Sequence, residues 1–190
     1  MKDIDLRIGL IGYGRFGEYI TDCMSAVDIL VDPLNIAFDQ ADAGDKRTLK
    51  RICDNCNLVL LTTPISEFGN VVTRLNDHAH PGVVFVDVAS VKMFPVKLAG
   101  ANCPNGRFIF THPLFGPQSA PDPTGQRIVV CNETTTEFDY LFFEKLRLCK
   151  VPATAEEHDK EVAYSQVIDH FVGRVASSIG VKRTPLSTKT

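Results

Sequence analysis

The chain has 190 residues, of which 44% are hydrophobic and 23% charged, with a formal net charge of -3 at pH 7. That length supports one well-packed domain with a small appendage, and the acidic balance offers no basic face to nucleic acid or to an anionic membrane. No apolar run reaches the ~18 residues of a membrane span. Asp3 and Asp5 stand where a secretory signal needs positive charge. The expectation is a cytoplasmic protein whose six cysteines stay reduced. Cys53 and Cys56 form a CxxC pair, but no second pair supplies the other half of a four-ligand site, so no metal is expected.

In chain order, Leu6-Arg7-Ile8-Gly9-Leu10-Ile11 is a short apolar run that reads as a buried parallel strand. A helix is predicted from Phe16 to about Val27. Asn35-Ile36-Ala37-Phe38-Asp39 reads as a second strand ending in an acid, and Asp45 can cap a helix through about Cys53. Leu58-Val59-Leu60-Leu61-Thr62 is a third strand, stopped by Pro64, with a helix from about Ser66 to Asn76. Pro81-Gly82 turns the chain into a strand over Val83 to Val88, and Phe108 to Thr111 and Arg127 to Val130 read as two more. Between them, Pro113, Pro117, Pro121 and Pro123 mark a loop. From Ala155 to Ile179, the residues Val162, Val167, Ile168, Phe171, Val172, Val175 and Ile179 fall on one helical stripe.

Strands alternating with helices give an α/β fold with a mainly parallel, doubly wound sheet. The expected division is a domain over residues 1–151, then the start of a helical domain over 152–190. A single amphipathic helix cannot form a core alone, so its stripe must pack on its own domain or on a second chain, and a homodimer is expected.

Gly12-Tyr13-Gly14-Arg15-Phe16-Gly17 is a G-x-G-x-x-G motif placed between a predicted strand and a predicted helix. The first glycine permits a tight turn, the second admits a pyrophosphate to the backbone, and the third lets helix and strand pack closely. The helix start offers free N–H groups to phosphate. Asp39 lies 22 residues after Gly17, where a carboxylate can bond a ribose and repel a 2′-phosphate. This is the dinucleotide signature of a Rossmann-type domain, and Asp39 favours NAD. Lys46 and Arg47 downstream would suit NADP, or form a solvated helix start.

Ligands of such folds bind beyond the carboxyl ends of the strands. Thr62-Thr63-Pro64, Asp87-Val88-Ala89-Ser90-Val91-Lys92 and Thr111-His112-Pro113 all fall there. A neutral imidazole suits a general base, and a nearby serine hydroxyl could hold its tautomer. From position alone, His112 is either that base or a histidine that satisfies backbone groups before a proline. Ser90 is not in a G-x-S-x-G elbow, so a hydrolase has no support.

The glycine turn, Thr63-Pro64, Asp87 to Lys92, Thr111-His112-Pro113-Leu114-Phe115-Gly116-Pro117, Glu156-Glu157-His158-Asp159, Ser165-Gln166, His170 and Thr184 to Lys189 occur in the order seen in prephenate and arogenate dehydrogenases. The chain resembles that family, most of all its plant-type branch, from Leu6 to its last residue. The resemblance implies NAD-dependent oxidative decarboxylation of prephenate to 4-hydroxyphenylpyruvate in tyrosine biosynthesis, with arogenate as the alternative substrate. It implies that His112 takes the proton of the 4-hydroxyl and that Ser90 hydrogen-bonds His112. Gln166 and His170, four residues apart on one helix face, would face the substrate, or form a polar edge of a packed helix. Lys92 would meet a substrate carboxylate, or lie at the surface. Gly12, Tyr13, Gly14, Arg15, Phe16, Gly17, Asp39, Thr62, Thr63 and Pro64 would bind the cofactor.

Three departures from the family stand out. Asp169 replaces the usual threonine before His170, and Cys131 lies near where plant arogenate enzymes carry an aspartate. Family members also continue past the Thr-Lys segment into more helices, so the chain is expected to be short at its C-terminus. That shortness gives a second reading, a dinucleotide-binding or regulatory module without turnover.

Overall fold

The computed structural model describes residues 6–29, 31–32, 46–118 and 122–180. The elements are β1 (Ile8–Ile11), α1 (Arg15–Ser25), β2 (Val31–Asp32), α2 (Lys46–Asn55), β3 (Leu58–Leu61), α3 (Phe68–Leu75) and β4 (Val84–Asp87). There follow α4 (Met93–Asn102), β5 (Arg107–Pro113), β6 (Arg127–Val130), α5 (Thr136–Asp139) with a π-helical turn at Tyr140–Lys145, β7 (Cys149–Pro152) and α6 (Ala155–Ser178). The strands form one sheet in the order β2-β1-β3-β4-β5-β6-β7. All pairs are parallel except β5 with β6, where His112 stands opposite Val129.

Both faces of the sheet are covered, which is why its central strands are unbroken apolar runs. Side chains alternate across the pleat. Leu58 and Leu60 pack with Tyr19, Ile20, Cys23 and Met24 of α1 and with Phe138 and Phe142. Val59 and Leu61 point the other way, into a core with Leu49 and Ile52 of α2 and Val71, Val72 and Leu75 of α3. Cys53 and Cys56 are buried in that second core, and burial pushes the Cys53 thiol up to about 12. Among the described residues, no helix is long and apolar enough to cross a membrane.

The doubly wound α/β architecture is the expected one. The expected strand at 35–39, with Asp39, and the cap Asp45 lie outside the described residues. The second strand observed is Val31–Asp32, paired with Ile8 and Gly9. The elements α4, α5 with its π-helical turn, and β7 add to the reading from sequence. Pro95 gives α4 the look of a loop, but it sits in the first turn, where the missing N–H is harmless. The strand β7 is short and mostly exposed, with no alternating pattern to reveal it.

The helix α6 starts where its local sequence dictates. Thr154 Oγ1 accepts the Glu157 N–H at 3.1 Å, and the Glu157 carboxylate accepts the Thr154 N–H at 2.8 Å. This reciprocal capping box satisfies two otherwise free donors, and it fixes the first turn of α6 against the carboxyl edge of the sheet.

Candidate active site

The sheet order sets the site. The glycine turn after β1, Thr62 and Thr63 after β3, Ala89 and Ser90 after β4, and His112 near the end of β5 follow one another along one edge. Three inter-strand steps separate β1 from β5, roughly 14 Å at the usual spacing, within the reach of a dinucleotide.

Gly12 has φ +97°, and a Cβ there would lie 2.7 Å from the Thr63 nitrogen, so only glycine makes the turn. A Cβ on Gly17 would stand 2.4 Å from the Gly12 carbonyl oxygen; its absence lets α1 pack on β1. Gly14 is different. A Cβ there would meet nothing within 4 Å, and Gly14 caps α1 without a side-chain hydrogen bond. The opening turn of α1 therefore faces open space with N–H groups not taken up by a cap, the arrangement that receives a phosphate. Thr62 Oγ1 donates to the Gly12 carbonyl and ties β3 to the turn. Thr63 Oγ1 is buried with no hydrogen-bond partner among the described residues, a donor left for a ligand. Beside the turn, Arg15 and Phe16 face Gly116, Pro117 and Gln118 across an open groove of about 420 Å³. Tyr13 and Pro64 are exposed. These residues fit a dinucleotide.

The second half of the site is a chain of bonds. His112 is 7% exposed and His158, in the first turn of α6, 3%. His112 Nδ1 lies 2.9 Å from His158 Nε2, with the rings edge to face. His158 Nδ1 lies 2.8 Å from Asp159 Oδ1. Asp159 also accepts the N–H groups of Lys92 at 2.7 Å and Met93 at 2.9 Å, so a carboxylate of α6 caps the positive end of α4.

Burial, then His158 and Lys92, push the His112 imidazole down to about 4, against the pull of Asp159. His112 is therefore neutral at pH 7. Burial raises the Asp159 carboxyl, but the Met93 N–H, His158 and the Lys92 N–H outweigh it and hold that group below its ordinary value.

Two expectations need correction. Lys92 is not a surface lysine: it is fully buried. Its ammonium donates to the Asp87 carboxylate and to the Thr111 carbonyl. Burial raises the Asp87 carboxyl and lowers the Lys92 ammonium, while each pulls the other back toward charge. The pair fastens the start of α4 to β4 and β5, and Thr111 Oγ1 adds a bond to the Asp87 carbonyl at 2.7 Å. Ser90 is exposed and makes no hydrogen bond to His112 among the described residues; the His112 Nδ1 position is taken by His158. Gln166 and His170 lie four residues apart on α6, and their side chains are outside the description, as is Asp39.

Sequence reasoning passed over His158 and Asp159 as site residues. The Thr154-x-x-Glu157 box places them in the first turn of a helix, but nothing local shows that this turn lies over β5.

The family model described as "Prephenate dehydrogenase, nucleotide-binding domain" matches residues 24–129. Arogenate dehydrogenase 2, chloroplastic, of Arabidopsis thaliana is 28% identical over 99% of this chain, which spans 58% of that protein's length. Two solved structures share the fold. Prephenate dehydrogenase from Aquifex aeolicus, in complex with hydroxyphenyl propionate and NAD+, has a TM-score of 0.71 at 15% identity, covering 97% of this chain and 73% of that one. Synechocystis arogenate dehydrogenase has a TM-score of 0.64 at 18% identity, covering 95% and 80%. With the family model matching more than half of its length, and with an open glycine turn and a buried histidine on one sheet edge, the chain belongs to the prephenate/arogenate dehydrogenase family of oxidoreductases.

Proposed function

We propose that the protein catalyses NAD-dependent oxidative decarboxylation of prephenate, with arogenate as the alternative substrate. The observation that carries this reading is the neutral, buried His112 on the same sheet edge as the glycine turn. Gly12, Gly14 and Gly17, with the first turn of α1, would hold the pyrophosphate, while Thr62, Thr63 and Pro64 line the next strand end. Tyr13, Arg15 and Phe16 would flank the cofactor. Asp39, by its place in the sequence, would take the ribose hydroxyls and favour NAD over NADP.

When bound, the nicotinamide supplies the acceptor for a hydride from C4 of the cyclohexadienol ring. His112 takes the proton of the 4-hydroxyl as C4 becomes a carbonyl. The bond from the ring to its carboxylate then breaks and CO2 leaves. The electron pair of that bond restores aromaticity, and the oxygen regains a proton as a phenol. His112 is suited to the first transfer because it is neutral and largely shielded from water. Ser90, exposed at the next strand end, and Gln166 and His170 on α6 are proposed to contact the substrate.

The residues 152–190 are proposed to begin a helical dimerisation domain. Tyr164, Ile168, Phe171, Val172 and Val175 are exposed along α6, and Met93 and Phe94 of α4 are exposed as well. A second copy of the chain is the proposed cover for these side chains.

The test is reduction of cofactor followed at 340 nm in four mixtures, prephenate or arogenate with NAD or NADP. A signal is expected with prephenate and NAD. A signal only with arogenate or NADP would reassign the substrate or cofactor. NAD binding with silence in all four would replace the enzyme by a binding module.

A further inference from the structure

His112 can take a proton only at a ring nitrogen that carries a lone pair. A neutral imidazole has one such nitrogen and one N–H, and Nδ1 of His112 is already engaged with His158. The direction of that bond decides which nitrogen is left. If His112 Nδ1 donates, its Nε2 is the base. If His112 Nδ1 accepts, its Nε2 carries hydrogen and the ring cannot take a proton from a substrate.

Asp159 settles the direction. A carboxylate only accepts hydrogen bonds, and Asp159 already accepts two backbone N–H groups at the start of α4, which keep it charged and immobile. His158 Nδ1, 2.8 Å from Asp159 Oδ1, is therefore the donor in that pair. A neutral His158 then has its lone pair on Nε2, facing His112 Nδ1 at 2.9 Å. Position follows the same logic: Thr154 and Glu157 fix the start of α6, the Lys92 and Met93 N–H groups fix Asp159, and Asp159 fixes the His158 ring.

We propose that Asp159 and His158 are positioning residues that lock His112 in its Nδ1–H tautomer, leaving Nε2 as the proton-accepting nitrogen of that ring. The proposal rests on the reading of His112 as the base. The relay also gives the proton's charge somewhere to go: when Nε2 is protonated, the resulting imidazolium donates through Nδ1 toward His158 and, beyond it, the Asp159 carboxylate. A carboxylate that orients an imidazole through its far nitrogen is a known catalytic device; here a second imidazole stands between the two. Among the described residues, the other titratable groups near the pair are Lys92 of the α4 start, Asp87 of β4 and Cys131 after β6. Lys92 and Asp87 are bonded to each other, and among the described residues none of the three bonds to either ring.

The test is a two-bond 15N–1H correlation spectrum of the whole chain labelled in its five histidines, at pH 7, with the His112 signals assigned by their loss in His112→Asn. The expected wild-type spectrum shows His112 protonated at Nδ1 and bare at Nε2. His158→Ala should move His112 toward the Nε2–H form, and His158→Gln should keep the Nδ1–H form, because an amide oxygen can accept where Nε2 did. In the 340 nm assay, His158→Ala should lower kcat by about 10²-fold or more with little change in KM, and His158→Gln should recover much of it. A wild-type His112 protonated at Nε2, or a tautomer indifferent to His158→Ala, overturns the relay even if the enzyme turns over. The expected tautomers in a protein that turns over no substrate would leave the relay standing and overturn the enzymatic reading instead. With the His112 signals assigned, the wild-type spectrum decides the direction of the bond whether or not the His158 variants fold.

Discussion

His112 carries a cost as well as a role. An imidazole held down to about 4 when folded, against an ordinary 6.5, stays neutral where the unfolded chain takes up a proton. Between pH 6.5 and pH 4 the unfolded state binds more protons, so stability falls as pH falls, by roughly 3 kcal/mol at most. Above pH 6.5 the group contributes nothing to the slope. Asp159, held below its ordinary value, adds a loss in the same direction at lower pH. Urea unfolding of wild type and His112→Asn from pH 7 to pH 4 should show a shallower decline in the variant. Equal slopes would mean that His112 is not held neutral by the fold. The place of His112 near the end of β5 was legible in the sequence, because an apolar run leads into it. Its partner was not. Ser90 is nearer in sequence, but His158, 46 residues away, reaches it through the docking of α6, which no local pattern records. Lys92 misled for a related reason: a lysine reads as surface until its buried carboxylate is found.

At the scale of elements, three glycines in one motif do three separable jobs. Gly17→Ala places a Cβ 2.4 Å from the Gly12 oxygen, so α1 must move, at a cost of about 1–3 kcal/mol. Gly14→Ala meets no atom within 4 Å and should leave stability within about 1 kcal/mol, yet its methyl would stand where the pyrophosphate meets the backbone. Denaturant unfolding together with NAD titration separates the two. Gly14→Ala should unfold like wild type and bind NAD at least about tenfold more weakly. Unchanged NAD affinity in Gly14→Ala would take the phosphate away from this turn. The turn, β1, α1, β3 and α3 were readable because apolar runs and glycines mark them on the chain itself. The helix α4 was not, because Pro95 and an apolar sequence without a polar face hide its period. The strand β7 owes its existence to pairing with β6, a contact between distant segments.

At the scale of the molecule, the sheet lines up the ends of β1, β3, β4 and β5 along one edge, and α6 brings His158 to His112 there. The remainder of α6 leaves the domain with its apolar side chains uncovered, Phe171 at 67% exposure and Ile168 at 55%. Sedimentation equilibrium at micromolar concentration should give a dimer for the wild type and a monomer for Phe171→Glu. A monomeric wild type would contradict the proposed helical interface. The alternation of strands and helices was enough to foresee this architecture, and the sequence stripe on α6 was enough to foresee an uncovered face.

The proposed reaction needs His112 to do proton chemistry beside a bound dinucleotide. The measurement that tests it most directly is the rate of cofactor reduction by His112→Asn against wild type, with NAD affinity determined for both proteins. The prediction is a loss of about 10²–10⁴-fold in kcat with NAD affinity unchanged within about twofold. Turnover by His112→Asn at the wild-type rate would contradict it.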